Sequence, residues 1–136
     1  MPRYASSWNP QGSLALQRRE AMLARIAQLR ALEDRAAVAS AKSKPVFDKR
    51  GQLLPRGRVA LLLDPGAPYL PLCSLAGYLQ DNKDPAASVP GGGIVAGIGF
   101  VSGVRCMVVA SDSGIDAGAI QAMGLEKILR VQEIAF

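Results

Sequence analysis

Residues 89–113, VPGGGIVAGIGFVSGVRCMVVASDS, constrain the fold of this chain more than any other stretch. Two β-branched apolar runs, 93–101 and 104–110, flank Ser102-Gly103, and two residues of that type between such runs predict a β-hairpin. The second run, VRCMVVA, is nearly all apolar. A strand of that composition is expected to be buried on both faces, as in a sheet with helices packed on it. Gly91, Gly92 and Gly93 read as a turn or bulge ahead of the hairpin. They do not read as a phosphate loop, because no Lys-Ser/Thr follows and they lead into a strand. GLEKILRVQEIAF, residues 124–136, then reads as a helix with Leu125, Ile128, Leu129, Gln132 and Ile134 on its mostly apolar side.

Upstream, residues 13–40 are rich in Ala, Leu, Arg and Glu, all strong helix formers. Leu16, Leu23, Ile26, Leu29 and Leu32 recur at helical spacing, with arginines on the other face and Ser13 at the expected N-cap. A helix with one narrow apolar stripe has to pack on something, within this chain or on a partner. Residues 1–12, with Pro2, Pro10 and Gly12, read as an extended arm. AKSKPVFDKRGQLL, residues 41–54, reads as a basic linker broken by Pro45 and Gly51. Pro55 suits the first turn of a short second helix, PRGRVALLLD, which Asp64-Pro65-Gly66 closes with turn chemistry. Residues 69–75 are expected to form a strand, at an edge because of Pro71, and residues 79–89 a polar loop. The expected division is an arm over 1–12, a helix and basic linker over 13–54, and the first part of a larger domain over 55–136.

A chain of 136 residues supports one domain at most. With 49% apolar and 20% charged residues it is globular in type, and only 5% aromatics leave Leu, Ile, Val and Ala to build the core. The charge is lopsided: 12 Lys/Arg against 4 Asp/Glu in residues 1–60, and 4 against 7 in residues 61–136. A basic half of this kind meets nucleic acid, a membrane surface or a phosphorylated small molecule, unless it is simply a solvated helix face. There is no histidine, which removes the commonest general base and the Ser-His and Cys-His pairings. Cys73 and Cys106 lack CxxC spacing and a histidine partner, so no metal site is expected, and buried free thiols are. No stretch approaches the ~20 apolar residues of a membrane span. The N-terminus lacks an apolar signal core, so a cytoplasmic protein is expected.

Chemistry is expected in the loop SDSGIDAGAIQAMG, which follows the second hairpin strand and precedes a helix. Open α/β sheets bind ligands at such strand ends, where helix N-termini offer unpaired N–H groups. Gly114 and Gly118 can let the backbone approach a ligand, or can merely make turns. Asp112 and Asp116 read as solvated loop carboxylates or local caps rather than an acid/base pair. Arg56 and Arg58 on the short second helix are candidates for anionic phosphates, or for plain surface solvation.

RGQLLPRGRVALLLDPGAPYLPLCSLAGY resembles R-G-K/Q-L-x-x-R-E-R-I-x-x-L-L-D-x-G-S-P-F-L-E-L-S-x-L-A-G-Y, and LRVQEIA resembles L-R-A-Q-E-I-A. Both patterns belong to the carboxyltransferase (β) subunits of biotin-dependent acyl-CoA carboxylases, most closely the methylcrotonoyl-CoA and geranoyl-CoA branch. The resemblance covers residues 13–136. It implies an α/β, crotonase-like fold of ββα units, here an incomplete N-terminal domain preceded by a long helix. It also implies transfer of a carboxyl group from N1 of carboxybiotin to an acyl-CoA, with the thioester enolate held by backbone N–H pairs. That mechanism needs no histidine. Biotin would ride on a partner carrier, and the implied partners are the biotin carboxylase/carrier subunit and further copies of the carboxyltransferase, with no nucleic acid and no membrane. Ala117, Gly118, Ala119, Arg56 and Arg58 are the residues the resemblance offers for the acyl-CoA. Two departures stand out: Gly57 replaces the glutamate between the arginines, and Ala117 replaces the first glycine of a Lys-Gly-Gly element. The family's S-G-G-A-N-type oxyanion loop and second domain lie past Phe136 in the pattern, so catalytic residues are unassigned and this segment alone is expected to be inactive. The competing expectation is a non-enzymatic module of crotonase-like origin that docks on a partner subunit.

Overall fold

The computed structural model describes residues 8–136. Two compact units divide the chain, Met1–Ala31 and Leu32–Phe136. Helix α1, Ser13–Ala41, runs out of the first into the second. Most of the extended arm expected over residues 1–12 lies outside the described residues. Its last part is a turn, with the Gly12 N–H donating to the Asn9 carbonyl at 3.1 Å.

In the first unit no Gly or Pro interrupts α1, which is why it is long. The Gly12 carbonyl accepts from Ala15 and Leu16, so the cap position is Gly12 and the expected cap, Ser13, is already the first helical residue. The row Leu16, Leu23 and Ile26 is exposed along this helix.

The second unit is built around three antiparallel strands in the order β1-β2-β3. Helix α2 is Lys44–Lys49 and α3 is Pro55–Leu62. Strand β1 is Leu70–Pro71, β2 is Ile94–Val101, β3 is Val104–Ser111, and α4 is Ala122–Ala135. The basic linker thus contains a helical turn, α2. The strand expected over 69–75 shrinks to two residues. Leu72 N–H still donates to the Ala96 carbonyl at 2.9 Å, but Cys73 turns to φ +50° and ends the pairing. The hairpin forms as expected, with Val101 opposite Val104 and positive φ at both Ser102 and Gly103, the signature of a type I′ turn. Asp64 secures that turn: its two carboxylate oxygens accept the Ser102 and Gly103 N–H groups, each at 2.7 Å.

β2, β3 and α4 make one ββα unit. Its core is Ile94 and Ala96 of β2 against Val131 of α4, with Leu72, Met107 and Ile128 at the margin. Fully burying a side chain such as Val131 contributes about 1.5–3 kcal/mol. Three expectations are corrected. β3 is an edge strand with only Val108 buried, so its apolar composition does not mean cover on two faces. α4 packs through Gly124, Lys127 and Val131, while Leu125, Leu129 and Ile134 are exposed. The reason is the triple glycine. Gly92 and Gly124 touch so closely that a Cβ on Gly92 would lie 2.9 Å from the Gly124 Cα, and this contact fixes which face of α4 meets the sheet. The thiols are free, as expected, but not buried: Cys73 is exposed and Cys106 partly so.

Candidate functional site

The loop after β3 is anchored by a side chain that the sequence presents as a solvated carboxylate. Asp112 is fully buried. Its Oδ1 accepts from Ser40 Oγ at 2.6 Å and from the Gly114 N–H at 3.3 Å, and its Oδ2 accepts from Arg56 Nε at 3.0 Å. Its own N–H donates to the Gly93 carbonyl. One carboxylate therefore ties the end of α1, the start of α3 and the root of the loop together. Ser43 adds a second tie, donating to the Gly114 carbonyl at 2.8 Å. Gly114 is a glycine for packing, not for a ligand, because a Cβ there would collide with Ser40. Asp116 is exposed, as expected.

Beyond this anchor the chain enters three successive left-handed residues, Asp116 at φ +46°, Ala117 at +54° and Gly118 at +84°. Left-handed backbone costs an L-residue roughly 1–2 kcal/mol, and such strain collects at functional loops. Gly118 is hemmed in, since a Cβ there would lie 3.1 Å from the Ser113 Cβ. Ala117 is exposed and faces a cleft of about 400 Å³ lined also by Ser43, Gln52, Arg50, Arg58 and Ser113. Two arginines and no carboxylate line this cleft. Arg58 is held there by donating Nε to the Leu53 carbonyl at 3.0 Å, which leaves its terminal N–H groups for a ligand. Guanidinium groups with free planar donors suit phosphate oxygens.

The two arginines named from the sequence line different cavities. Residues two apart on a helix point in nearly opposite directions. Arg58 turns to the cleft with Ala117, while Arg56 turns to Asp112 and to a separate cavity beyond it. Helical spacing alone would have separated them. Arg50, which shares the cleft, was not singled out in the sequence, where it sits in a linker with no periodicity.

Residues 47–136 match the carboxyl transferase domain. The chain belongs to the carboxyl transferase family. It is 48% identical over 88 residues to the Mycobacterium tuberculosis biotin-dependent 3-methylcrotonyl-coenzyme A carboxylase beta1 subunit, covering 63% of this chain and 16% of that protein. It is 45% identical over 86 residues to a probable mitochondrial methylcrotonoyl-CoA carboxylase beta chain of Drosophila melanogaster, covering 63% of this chain and 14% of that one. Among solved structures, the beta subunit of Pseudomonas aeruginosa geranyl-CoA carboxylase superimposes with a TM-score of 0.88 at 51% identity, over 98% of this chain and 25% of that one. The transcarboxylase 12S core shares the fold, at a TM-score of 0.66 and 21% identity. The crotonase-like carboxyltransferase fold expected from the motifs is therefore the fold of this chain. It spans about a sixth of the length of the first of these curated relatives and about a seventh of the second. Among the described residues, no helix is long and apolar enough to cross a membrane.

Proposed function

We propose that this chain is part of the carboxyltransferase component of a biotin-dependent acyl-CoA carboxylase. In that component a carboxyl group passes from carboxybiotin, carried by a partner biotin carrier, to an acyl-CoA of the methylcrotonoyl or geranoyl type. The assignment to this branch rests on identities of 45–51% to relatives named for those substrates. The chain's own contribution is to bind rather than to transform. Among the described residues Asp112 and Asp116 do not work as an acid/base pair, because Asp112 is committed to Ser40 and Arg56.

The observation that carries the binding role is the carboxylate-free cleft where Arg50 and Arg58 face the strained turn at Ala117. Two guanidinium groups there suit a phosphate of CoA. Ala117, Gly118 and Ala119 would then lie alongside the ligand backbone, and Arg56 would support the loop through Asp112 instead of touching CoA. Homo-oligomers of the carboxyltransferase and a cytoplasmic setting complete the reading. In the carboxyltransferase that contains these residues, Arg58→Ala should raise KM for acyl-CoA about tenfold with kcat nearly unchanged, as loss of one charged contact does. An unchanged KM would place the phosphates elsewhere.

A second reading has its own support in the exposed row Leu16, Leu23 and Ile26 on α1. In it the chain is a non-enzymatic module that docks through this row on a partner subunit. CoA binding by the chain separates the two, since the module has no need of it.

A further inference from the structure

From Leu16 to Ala31 every residue of α1 is exposed. At ~1.5 Å per residue that solvated stretch is about 24 Å long, and a helix of such length draws most of its stability from packing rather than from propensity. Leu16, Leu23 and Ile26 nonetheless stand in one row, each 43–52% exposed. Residues three, four and seven apart share a helix face. Arg19, three after Leu16 and four before Leu23, therefore falls inside that row. Arg18 and Arg25 fall on the far side, and Arg18 lies over the Trp8 ring, 5.6 Å from its centroid. Among the described residues no carboxylate pairs with Arg19. The apolar row is thus broken by one unpaired cation.

Charge narrows what can cover it. Residues 1–31 hold 5 Lys/Arg against 1 Asp/Glu, whereas residues 32–136 hold 11 against 10. Of the net +5, the first unit carries +4. A second copy would bring the same excess of arginine, and like charges set across an interface oppose association. Nucleic acid would use the arginines but leave the leucines in water. A lipid surface takes a helix whose cations lie on a separate polar face, and here a cation stands within the apolar one. Covering Arg19 together with the leucines requires an opposite charge facing it, because a buried charge left unpaired is strongly unfavourable.

We propose that the row Leu16, Arg19, Leu23 and Ile26 is a docking surface for an acidic amphipathic helix of a partner protein. The partner's apolar seam would lie on Leu16, Leu23 and Ile26. One seam carboxylate would face Arg19 and fix the register, as a polar residue in an otherwise apolar helix seam does. The partner's negative charge would complement the excess on this unit. This deepens the docking reading of the same row but holds whether or not the chain takes part in carboxyl transfer.

The test titrates the purified chain with two synthetic helical peptides that share one leucine seam. One carries a glutamate at a central seam position and glutamates on its flanks; the other carries lysines at the same positions. Vesicles of phosphatidylserine and phosphatidylcholine are titrated in parallel. The acidic peptide should bind at least tenfold more tightly than the lysine peptide, and more weakly as salt rises. Arg19→Glu should reverse that preference, and Leu23→Ala should weaken the acidic peptide at least fivefold. Both positions are exposed and both replacements are good helix formers, so both variants should melt within about 3 °C of wild type. CoA affinity should be the same in Arg19→Glu as in wild type, which keeps failure of this docking distinct from failure of the Arg50/Arg58 cleft to bind CoA. Four outcomes overturn the inference: no saturation by the acidic peptide up to about 1 mM, equal binding of the two peptides, a wild-type preference retained in Arg19→Glu, or vesicles bound as tightly as the acidic peptide. A wild-type dimer in sedimentation that Leu23→Ala disperses would also overturn it, since a second copy would then cover the row.

Discussion

Replacing Asp112 by alanine should be among the costliest single changes in this chain. The side chain is wholly buried and accepts three hydrogen bonds. Truncation strands the Ser40 hydroxyl, itself only 1% exposed, and leaving such a group unpaired costs about 1–3 kcal/mol. It also removes the counter-charge of Arg56. Breaking a fully buried ion pair costs about 3–5 kcal/mol, but the Arg56 side chain is 40% exposed and water recovers much of that. The two losses together come to about 3 kcal/mol. For a cooperative unit of roughly 100 residues, unfolding entropy converts this into a fall in Tm of about 12–15 °C. Asp112→Asn keeps an acceptor for Ser40 but turns an amide donor toward Arg56, so about half the loss is expected. A double-mutant cycle with Arg56→Ala should return a coupling of about 1–2 kcal/mol. Thermal melts of the four proteins decide the matter. A fall of less than about 4 °C for Asp112→Ala, or a coupling near zero, would mean the carboxylate is solvated after all.

Three other substitutions test the rest of the structure. Ala117→Gly relieves a residue held at φ +54°; the strain released exceeds the entropy added to the unfolded chain, for a net gain of about 0.5–1 kcal/mol in urea unfolding, whereas Gly118→Val, at φ +84° and against Ser113, should lose stability whether or not ligand is present. Burial pushes the Lys127 pKa down to about 8, with Arg56 adding to the depression and Cys73 opposing it. The folded state then holds fewer protons than the unfolded one between pH 8 and 10.5, so stability relative to Lys127→Met should rise across that window, by on the order of 2 kcal/mol, and be flat below it. Parallel pH profiles of the two proteins refute this.

Much of the fold is legible because its signals are local. The hairpin is announced by β-branched runs around Ser102-Gly103, and the helix of residues 13–41 by an unbroken series of helix formers. What stayed hidden depends on contacts between distant residues. Asp112 meets Ser40 and Arg56, 72 and 56 positions away, and nothing in SDSGIDAG marks it as buried. The face of α4 differs from the expected one because Gly124, Lys127 and Val131, not the leucines, meet the sheet: the glycine allows close approach, and the lysine serves the Gly91 and Ile94 carbonyls. Apolar composition overstated the burial of β3 for a related reason, since composition records what a residue tolerates and not what covers it. The sequence offers Arg56 and Arg58 together, whereas the helix sends them to different cavities.

Whether the Arg50/Arg58 cleft holds a CoA phosphate is the central question for this chain. The direct measurement is the affinity of the chain for CoA by isothermal titration, at two salt concentrations, for wild type and for Arg50→Ala/Arg58→Ala. Binding should be salt-sensitive and should weaken at least tenfold in the double variant while its melting temperature stays within a few degrees of wild type. Equal CoA affinity in the two proteins, or no CoA binding by a folded wild-type chain, would contradict it.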